Sequence, residues 1–375
     1  MSQPKITTEQ LKAELSAGMT ATQIAKKYDI HVRRIHERKA KLAKSGFSPE
    51  HDMVHMVPDG FQVRGVSTLY DKDGIKSAQW VKSSIDAQRQ FELMQIAARA
   101  LAEDLPKAKP TTPPVFADQR LLNTYIISDY HLGMLADEDE SGDDWDIKIA
   151  ERLLMKWFNA AIALAPNSKE AVLCLLGDTL HFDGLEAKTP TSGHILDADS
   201  RFHKVVRMAI RIINTVCNML LQKHEKVRLV IATGNHDIAS SVWLREMFAT
   251  LYSNEPRMLV DTSADNYQCV EFGKTSLFFH HAHRANFDRM EQVFVAKFRE
   301  VFGRTKFSYA HCGHLHHSRM KESNMMVTEQ HRTLAAKDAY SSQGGYMAGR
   351  SASVITYSSE YGEVSRLTIS PDMLK

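Results

Sequence analysis

The segment that most constrains the fold is an apolar run, residues 227–232 (VRLVIA), which leads into Thr-Gly-Asn-His-Asp at residues 233–237. A β-branched run that stops at a glycine and polar residues is typical of a buried parallel strand. Open α/β folds bind their ligands at the edge where such strands end. The run therefore predicts a sheet edge that carries Asn235, His236 and Asp237, with an ordinary polar turn as the alternative.

Polar groups of the same kind follow the other apolar runs of residues 121–320. Asp129 and His131 come after residues 124–128, and Asp178 comes after residues 171–176. An Asp-x-His or His-x-His spacing places two side chains on the same side of an extended segment, so both can contact one ion. Because parallel strands end at a common edge, we expect these groups to converge. Later groups after apolar runs are His280, His281 and His283, and then His314 and His316.

The expected cluster mixes carboxylate, imidazole and amide donors, which suit divalent manganese, iron or zinc. The donors are too numerous for one ion, so the sequence predicts two ions. For each histidine taken alone, a hydrogen-bonded surface or core residue is the alternative. For the whole set that alternative is weak, because a buried polar cluster without a task is costly.

Between these groups the sequence predicts helices over residues 147–165, 199–223, 240–252 and 287–302, which gives an α/β fold. The ordered set DxH, GD, GNHD, a histidine after a strand, and GHxH resembles the calcineurin-like metallophosphoesterase superfamily over residues 121–320. The resemblance implies a layered β-sandwich flanked by helices. It also implies two divalent metal ions, with Mn²⁺ expected and Fe²⁺, Zn²⁺ or Mg²⁺ as alternatives.

The resemblance also assigns ligands. One ion would be held by Asp129, His131 and His316, the other by Asn235, His281 and His314, and Asp178 would bridge both ions. The superfamily usually has His-Gly where this chain has His281-Ala282, so His280 and His283 remain alternatives to His281. The implied reaction is phosphodiester hydrolysis by in-line attack of a metal-bridging hydroxide. His236 would act as general acid, held by Asp237.

The sequence GDTLH resembles the DNA-repair nuclease branch, the SbcD-like exonucleases, rather than the protein phosphatases with GDxxDRG. In that branch the histidine equivalent to His181 lies beside the scissile phosphate, so we expect a catalytic role, with a structural hydrogen bond as the alternative. Further along the chain, Arg350 is expected to pair with phosphate and Tyr346 to stack on a base. Turn and packing roles are equally consistent with these two residues.

Residues 1–48 contain ten Lys/Arg and four Asp/Glu, and their pattern predicts three short helices. The stretch GMTATQIAKKYDIHVRRIHERKAKL resembles the helix-turn-helix segments of bacterial and phage DNA-binding proteins. The alternative is a protein-docking module. The expected DNA contacts are Arg33, Arg34, His36, Arg38 and Lys41.

Residues 55–105 are expected to form a small β-hairpin plus helix module. Its strands would lie within residues 58–83 and its helix over residues 84–105, with Phe91, Met94, Ile96, Ala97 and Leu101 on the apolar side. Residues 106–117 are a Pro-rich linker, and residues 118–375 are the expected metallophosphoesterase domain.

The leading hypothesis is a metal-dependent phosphodiesterase, specifically a nuclease brought to DNA by its N-terminal domain. A small-molecule phosphatase or cyclic-nucleotide phosphodiesterase is one alternative, and a DNA-binding scaffold with a vestigial metal site is another. No signal peptide or long apolar run is evident, so we expect a cytoplasmic protein without a membrane partner, bacterial or phage-encoded. Homo-oligomerisation stays open.

Overall fold

The computed structural model describes residues 5–51, 53–54, 56–57, 61–74, 76–86, 89, 92, 96 and 107–375. Contacts between residues divide the chain into two compact units, Met1–Ala97 and Ala98–Lys375. The turn predicted at residues 58–60 lies outside the described residues. So does most of the helix predicted over residues 84–105, including Phe91, Met94, Ala97 and Leu101.

The described residues of the first unit include three α-helices and a β-hairpin. The elements are α1 (Thr8–Ser16), α2 (Ala21–Lys27), α3 (Val32–Lys44), β1 (Phe61–Tyr70) and β2 (Lys76–Ile85). Thr7 and Thr20 each form a capping box with the glutamine three residues later, which satisfies free amides at the start of α1 and α2. Leu11, Ile24 and Ile35 are fully buried, so each helix contributes to one small core.

The second unit alternates strands and helices in its first half. It begins with β3 (Asp118–Ile127), α4 (Glu138–Ser141), α5 (Ile147–Leu164), β4 (Ser168–Leu175), α6 (Phe202–Lys223), β5 (Lys226–Ile231) and α7 (Ile238–Leu251). It continues with β6 (Met258–Val260), β7 (Gln268–Phe272), β8 (Thr275–Phe279), α8 (Met290–Lys297), α9 (Arg299–Arg304), β9 (Phe307–Cys312), β10 (Arg319–Glu322), β11 (Val327–Gln330), α10 (Ala339–Gln343), β12 (Ala352–Ser358) and β13 (Gly362–Ile369).

These strands form two sheets. The six-stranded sheet has the order β13-β12-β3-β4-β5-β6, in which β3 to β6 are parallel and β12 and β13 are antiparallel additions. The five-stranded sheet has the order β10-β11-β9-β8-β7, with β11, β9 and β8 parallel. Both sheets therefore have several strand ends at one edge, which is where an α/β fold places a site.

Two apolar layers show how the sheets pack. Val172, Cys174 and Val230 of the larger sheet share one buried cluster with Leu277 and Phe279 of the smaller sheet, so the two sheets face each other. The other face of the larger sheet packs on α5 and α6, and the other face of the smaller sheet packs on α8. The prediction of an α/β fold built as a layered β-sandwich flanked by helices is confirmed.

Two predicted helices differ from the observed ones. The helix expected over residues 287–302 is divided at Phe298, which has φ −115° and ψ 43° and packs against Phe278. The helix expected from residue 199 begins at Phe202. Asp199 is held outside it, because its amide donates to the Gly133 carbonyl and its carboxylate accepts from the Ile147 amide.

One helix among the described residues, Phe202–Lys223, is long and apolar enough to cross a membrane by length and composition. Eight of its residues are buried, and they pack against the larger sheet. Its exposed side carries Lys204, Arg207 and Arg211. A core helix of a soluble protein has this two-sided character, whereas the cytoplasmic location remains a prediction.

Candidate metal centre

The candidate site lies where five strands of both sheets end. In the larger sheet, β3 leads into Asp129 and His131, β4 into Asp178, and β5 into Asn235. In the smaller sheet, β8 leads into His281 and β9 into His314 and His316. The loops after these strands bring together side chains that are up to 187 residues apart in the sequence, from position 129 to position 316.

Two groups of ligand atoms form in this place. Asp129, His131 and His316 offer atoms that all lie within 4.8 Å of one another, and so do Asp178, His281 and His314. In the first group, Nε2 of His316 lies 3.2 Å from Oδ1 of Asp129 and 3.3 Å from Nε2 of His131. In the second group, Nε2 of His281 lies 3.0 Å from Oδ2 of Asp178. Each group has the size of one metal coordination shell.

The two groups adjoin each other. Nε2 of His281, in the second group, lies 3.8 Å from Oδ1 of Asp129, in the first group. The side chain of Asn235 belongs beside them by its position after β5, and its Oδ1 is buried without a hydrogen-bond partner among the described residues. An unpaired amide oxygen in a buried site is costly unless a cation or water satisfies it. The donors therefore fit two neighbouring divalent cations.

The backbone at this site is strained in a consistent way. Six of the seven described non-glycine residues with positive φ belong to these loops: Asp129, His131, Asp178, Ala282, His314 and His316. Aspartate and histidine tolerate the left-handed region better than most residues do, yet each such position costs free energy. Such strain at so many ligand positions is typical of a functional site rather than of ordinary loops.

Two glycines allow the loops to approach the carboxylates. A Cβ atom at Gly234 would lie 2.0 Å from Oδ1 of Asp178, and a Cβ atom at Gly313 would lie 2.5 Å from Oδ2 of Asp129. Because the two glycines lack a Cβ atom, nearby backbone amides reach the carboxylates. The amide of His314 donates to both oxygens of Asp129 at 3.0 Å, and the amide of His236 donates to Oδ1 of Asp178 at 2.8 Å. These amides fix the direction of both carboxylates.

The charges of the site compensate one another. Burial raises the pKa of Asp129. The imidazoles of His316 and His281 lower this pKa by a larger amount, so that it lies below the ordinary value of an aspartate. Burial lowers the pKa of His281, but Asp178 and Asp129 outweigh it and raise this pKa to about 10. Two ionised carboxylates inside the protein therefore attract positive charge, which a proton on His281 or a metal cation can supply.

His281 is held in place from its other side. Its Nδ1 lies 2.8 Å from the carbonyl oxygen of Leu176 and donates to it, which leaves Nε2 facing the carboxylates. His280 instead stacks on Tyr267 with ring centroids 4.2 Å apart, and His283 belongs to neither three-residue group. The geometry favours His281 over its two neighbours as a ligand.

The position of Asp237 differs from the expectation that it holds His236. Its carboxylate accepts hydrogen bonds from the backbone amides of Thr179 at 2.7 Å and Gly234 at 2.9 Å, and longer ones from Asp178 and Leu180. Burial, with Asp178 and Asp183 nearby, raises the pKa of Asp237 to about 7. Asp237 therefore ties the loop after β4 to the loop after β5 and does not orient the imidazole of His236.

The imidazole of His236 is oriented by a backbone group. Its Nδ1 lies 2.7 Å from the carbonyl oxygen of His181, so Nδ1 donates and Nε2 remains available. Its ring packs edge-on against His131, with centroids 4.7 Å apart. His236 thus lies beside the first ligand group, and its Nε2 makes no hydrogen bond among the residues that the structure describes.

His181 lies beside His131 and His236. It is 2% exposed, and its Nδ1 lies 3.2 Å from Nδ1 of His131. Burial, followed by the neighbouring His236, lowers the pKa of His181 to about 3. The ligand atoms of His131, His181 and His236 also lie within 4.8 Å of one another. His181 therefore contacts the site through its side chain and orients His236 through its carbonyl group.

Arg350 and Tyr346, the two residues expected to contact the substrate, differ in how far they are engaged by the protein. Arg350 donates through Nε and Nη2 to the carbonyl oxygen of Leu334, and its Nη1 lies 2.9 Å from Asp143. Because both sides of the guanidinium are engaged, the expectation that Arg350 pairs with phosphate is not supported, and its role here is structural. Tyr346 is 59% exposed, and its stacking role stays a prediction.

The expected DNA contacts on α3 are also not equivalent. Arg38 donates to the carbonyl oxygen of Ile6 at 2.9 Å and so links the chain before α1 to α3, whereas its contact with DNA stays a prediction. Arg33 pairs with Glu37 on the surface at 2.9 Å. Arg34, His36 and Lys41 are exposed, and none of them has an ion-pair partner among the described residues. These three side chains are the accessible part of the predicted surface.

Sequence analysis missed several residues that support the carboxylates. The Ser128 hydroxyl donates to Oδ2 of Asp129, and the Thr333 hydroxyl donates to the carbonyl oxygen of Asp129 at 2.6 Å. Asp183 accepts from the amide and hydroxyl of Ser240 at the start of α7. Ser128 and Asp183 had a sequence signal, since they lie next to the DxH motif and shortly after the GD motif. Thr333 had none, because it is 204 residues from its partner.

No family model matches the sequence, and no curated protein matches it significantly. Among solved structures, a conserved protein of Streptococcus pneumoniae TIGR4 described as a phosphoesterase is 10% identical, with a TM-score of 0.29, and the match covers 66% of this chain and 98% of that one. Vacuolar Protein Sorting 29 from Cryptosporidium parvum is 11% identical, with a TM-score of 0.33, covering 67% and 100%. An archaeal phosphodiesterase is 12% identical, with a TM-score of 0.33, covering 66% and 99%. At these identities and TM-scores the three likenesses do not assign a function to this chain.

Proposed function

We propose that the protein is a metal-dependent phosphodiesterase of the calcineurin-like type. The observation that carries this proposal is the pair of adjoining ligand groups, one around Asp129 and one around Asp178, with 3.8 Å between His281 and Asp129. Two divalent cations, when bound, supply Lewis acidity to a phosphate group and lower the pKa of a water nucleophile. Mn²⁺ is the proposed metal, since the donors combine carboxylates and imidazoles.

The protein's own residues have separate tasks in this proposal. Asp129 and Asp178 supply negative charge that is held in direction by backbone amides, so the site needs little rearrangement to bind cations. His236, when protonated on both ring nitrogens, would donate its Nε2 proton to the leaving oxygen, while its Nδ1 proton stays in the hydrogen bond to the His181 carbonyl. Asp237 contributes by fixing the two loops that carry Asp178 and His236.

The proposed substrate is DNA, which makes the enzyme a nuclease. Supporting this, residues 5–48 of the first unit form a three-helix bundle whose α3 exposes Arg34, His36 and Lys41. Cationic side chains on the last helix of such a unit suit contact with phosphates and base edges in a major groove. Cleavage of a small diester without cleavage of DNA would favour the cyclic-nucleotide or small-molecule alternative.

The first test compares three substrates under the same conditions with Mn²⁺: linear DNA, bis-p-nitrophenyl phosphate and p-nitrophenyl phosphate. We expect the two diesters to be cleaved and the monoester to be a poor substrate. Asp178→Ala should abolish turnover and lower the bound metal measured by elemental analysis, since it removes a ligand and one of the two buried negative charges. The matched control is Asp372→Ala, which removes a fully exposed carboxylate.

Two outcomes would contradict the proposal. Hydrolysis of the monoester alone would exclude a phosphodiesterase. Metal binding by Asp178→Ala at the level of the Asp372→Ala control would exclude Asp178 as a ligand.

A further inference from the structure

A basic cleft, which we call the α6 cleft, lies outside the candidate metal centre. It has a volume of about 560 Å³ and is lined by Asp146, Lys148, Asp199, Lys204, Arg207 and Arg211, together with less polar side chains. The cations outnumber the carboxylates. Lys204, Arg207 and Arg211 recur at intervals of three and four residues, so they form one stripe along α6.

The two carboxylates of the cleft accept hydrogen bonds from backbone amides at the start of α5. Asp146 accepts from the amides of Lys148 and Ile149 and caps the start of α5. Asp199 accepts from the amide of Ile147 at 3.0 Å. Among the residues that the structure describes, Lys148, Lys204 and Arg207 have no ion-pair partner, whereas Arg211 pairs with Glu151 at 2.6 Å. The four cations of the cleft therefore face two carboxylates, which leaves a net positive charge, and three of the cations are not held in an ion pair with a described residue.

The start of α6 adds to this attraction. The N-cap residue Arg201 makes no side-chain hydrogen bond to the helix, so the first amides of this 22-residue helix lack a side-chain cap. Uncapped amides at a helix start, together with the helix dipole, favour an anionic group. The helix start and the stripe of cations thus point to the same kind of ligand.

The cleft is connected to the candidate metal centre by a short hydrogen-bonded segment. The amide of Asp199 donates to the carbonyl oxygen of Gly133 at 3.2 Å, and the amide of Leu135 donates to that of Asp197 at 3.0 Å. Gly133 is two residues after His131, and Asp199 is three residues before α6. Residues 131–135, which include a residue of the first ligand group, are therefore hydrogen-bonded to residues 197–199, which end in the wall of the cleft at Asp199.

We infer that the α6 cleft binds the sugar-phosphate backbone of the nucleic-acid strand whose phosphodiester lies at the metal centre. This inference rests on the proposed function and adds a substrate subsite to it. Rows of cations that follow a groove are the usual means of holding a strand irrespective of its sequence. An acidic peptide would satisfy the same charges, but it would not extend into a centre that acts on phosphodiesters.

The test uses the full-length protein and a short fluorescent single-stranded oligonucleotide, with binding measured by anisotropy over a series of salt concentrations. Lys204→Ala with Arg207→Ala should weaken binding and lower the slope of log K against log salt by about 1.4, which is roughly 0.7 for each phosphate contact. Turnover of bis-p-nitrophenyl phosphate should not change. The matched control, Arg299→Ala with Lys306→Ala, removes two exposed cations elsewhere in the same unit and should leave the slope unchanged.

A second set of variants distinguishes the contribution of the α6 cleft to binding from that of the first unit. The effect of Lys204→Ala and Arg207→Ala should persist when Arg34→Ala and Lys41→Ala are also present. An unchanged slope in a protein that still cleaves the small diester would overturn the inference and leave the proposed function intact. Absence of diester cleavage by the unaltered protein would instead refute the proposed function. Competition by poly-glutamate as strong as that by the oligonucleotide would show that the cleft is not a nucleic-acid site.

Discussion

At the scale of single residues, Gly313 shows how closely the loops of the site are fitted. Replacing it by alanine would put a Cβ atom 2.0 Å from the Ser128 hydroxyl oxygen and 2.5 Å from Oδ2 of Asp129, so one of these groups has to move. We expect Gly313→Ala to weaken metal binding at least tenfold and to lower the free energy of unfolding by about 1–3 kcal/mol. Isothermal titration with Mn²⁺ and urea unfolding would measure both effects.

Gly303 provides the control for this prediction. It lies in α9 with open space around its Cα, so Gly303→Ala should preserve metal binding and stabilise the helix by up to about 1 kcal/mol. Equal metal affinities of the two variants would contradict the role assigned to Gly313.

Single residues of the site also differ in how far their roles could be predicted from the sequence. Asp129, His131, His281 and His316 were predictable because each follows an apolar strand with ligand spacing. The tasks of Asp237, Arg350 and Arg38 were not, because each depends on backbone groups far along the chain, such as the Thr179 amide, the Leu334 carbonyl and the Ile6 carbonyl. A sequence specifies that a side chain can form hydrogen bonds, whereas the partner is decided by the packing of distant loops.

At the scale of elements, the buried strands of the larger sheet were predictable from their apolar runs, whereas the division of the last predicted helix was not. Runs such as residues 227–232 are buried on both faces, and this makes their apolar character continuous and easy to recognise. The division of the helix at Phe298 had no comparable signal, since it comes from packing against Phe278 of the smaller sheet. Tertiary contacts decide such boundaries more than local propensity does.

His224, at the junction of α6 and β5, offers a test of an element's environment. It is fully buried, its Nδ1 donates to the Ser168 carbonyl at 2.9 Å, and its Nε2 accepts from the Tyr125 hydroxyl at 3.1 Å. Burial lowers the pKa of His224 to about 4, with partial compensation by the Ser168 carbonyl. Because the folded pKa is depressed, this histidine contributes stability at neutral pH that is lost as the pH falls below about 6.5.

We expect this group to remove about 2 kcal/mol from the free energy of unfolding between pH 7 and pH 5. Urea unfolding at the two pH values should show a smaller pH-dependent loss for His224→Gln than for the unaltered protein, whatever the absolute stability of the variant. His194→Gln, which changes an exposed histidine, is the control and should retain the full loss. Identical losses in all three proteins would contradict the assignment.

At the scale of the whole molecule, we expect the first compact unit to bind DNA and the second to hydrolyse the phosphodiester. Arg34→Ala with Lys41→Ala removes two exposed cations of α3, so it should weaken binding to duplex DNA and lower the slope of log K against log salt by about 1.8. The turnover of bis-p-nitrophenyl phosphate should stay the same. Anisotropy measurements and a colorimetric assay would check the two parts.

Lys107→Ala with Lys109→Ala is the control, since it removes the same charge from two exposed positions before β3. If the α3 variant and this control bind duplex DNA equally, the first unit does not recruit DNA. The protein-docking alternative would then account better for its basic surface.

The ligands of the candidate centre come from both layers of the sandwich: Asp129, His131 and Asp178 from one sheet, and His281, His314 and His316 from the other. Each of the two ligand groups draws on both sheets, so neither sheet can form half of an active centre independently. A small slide of one layer over the other would open both groups together. Cation binding at this centre would therefore depend on how the two layers are aligned.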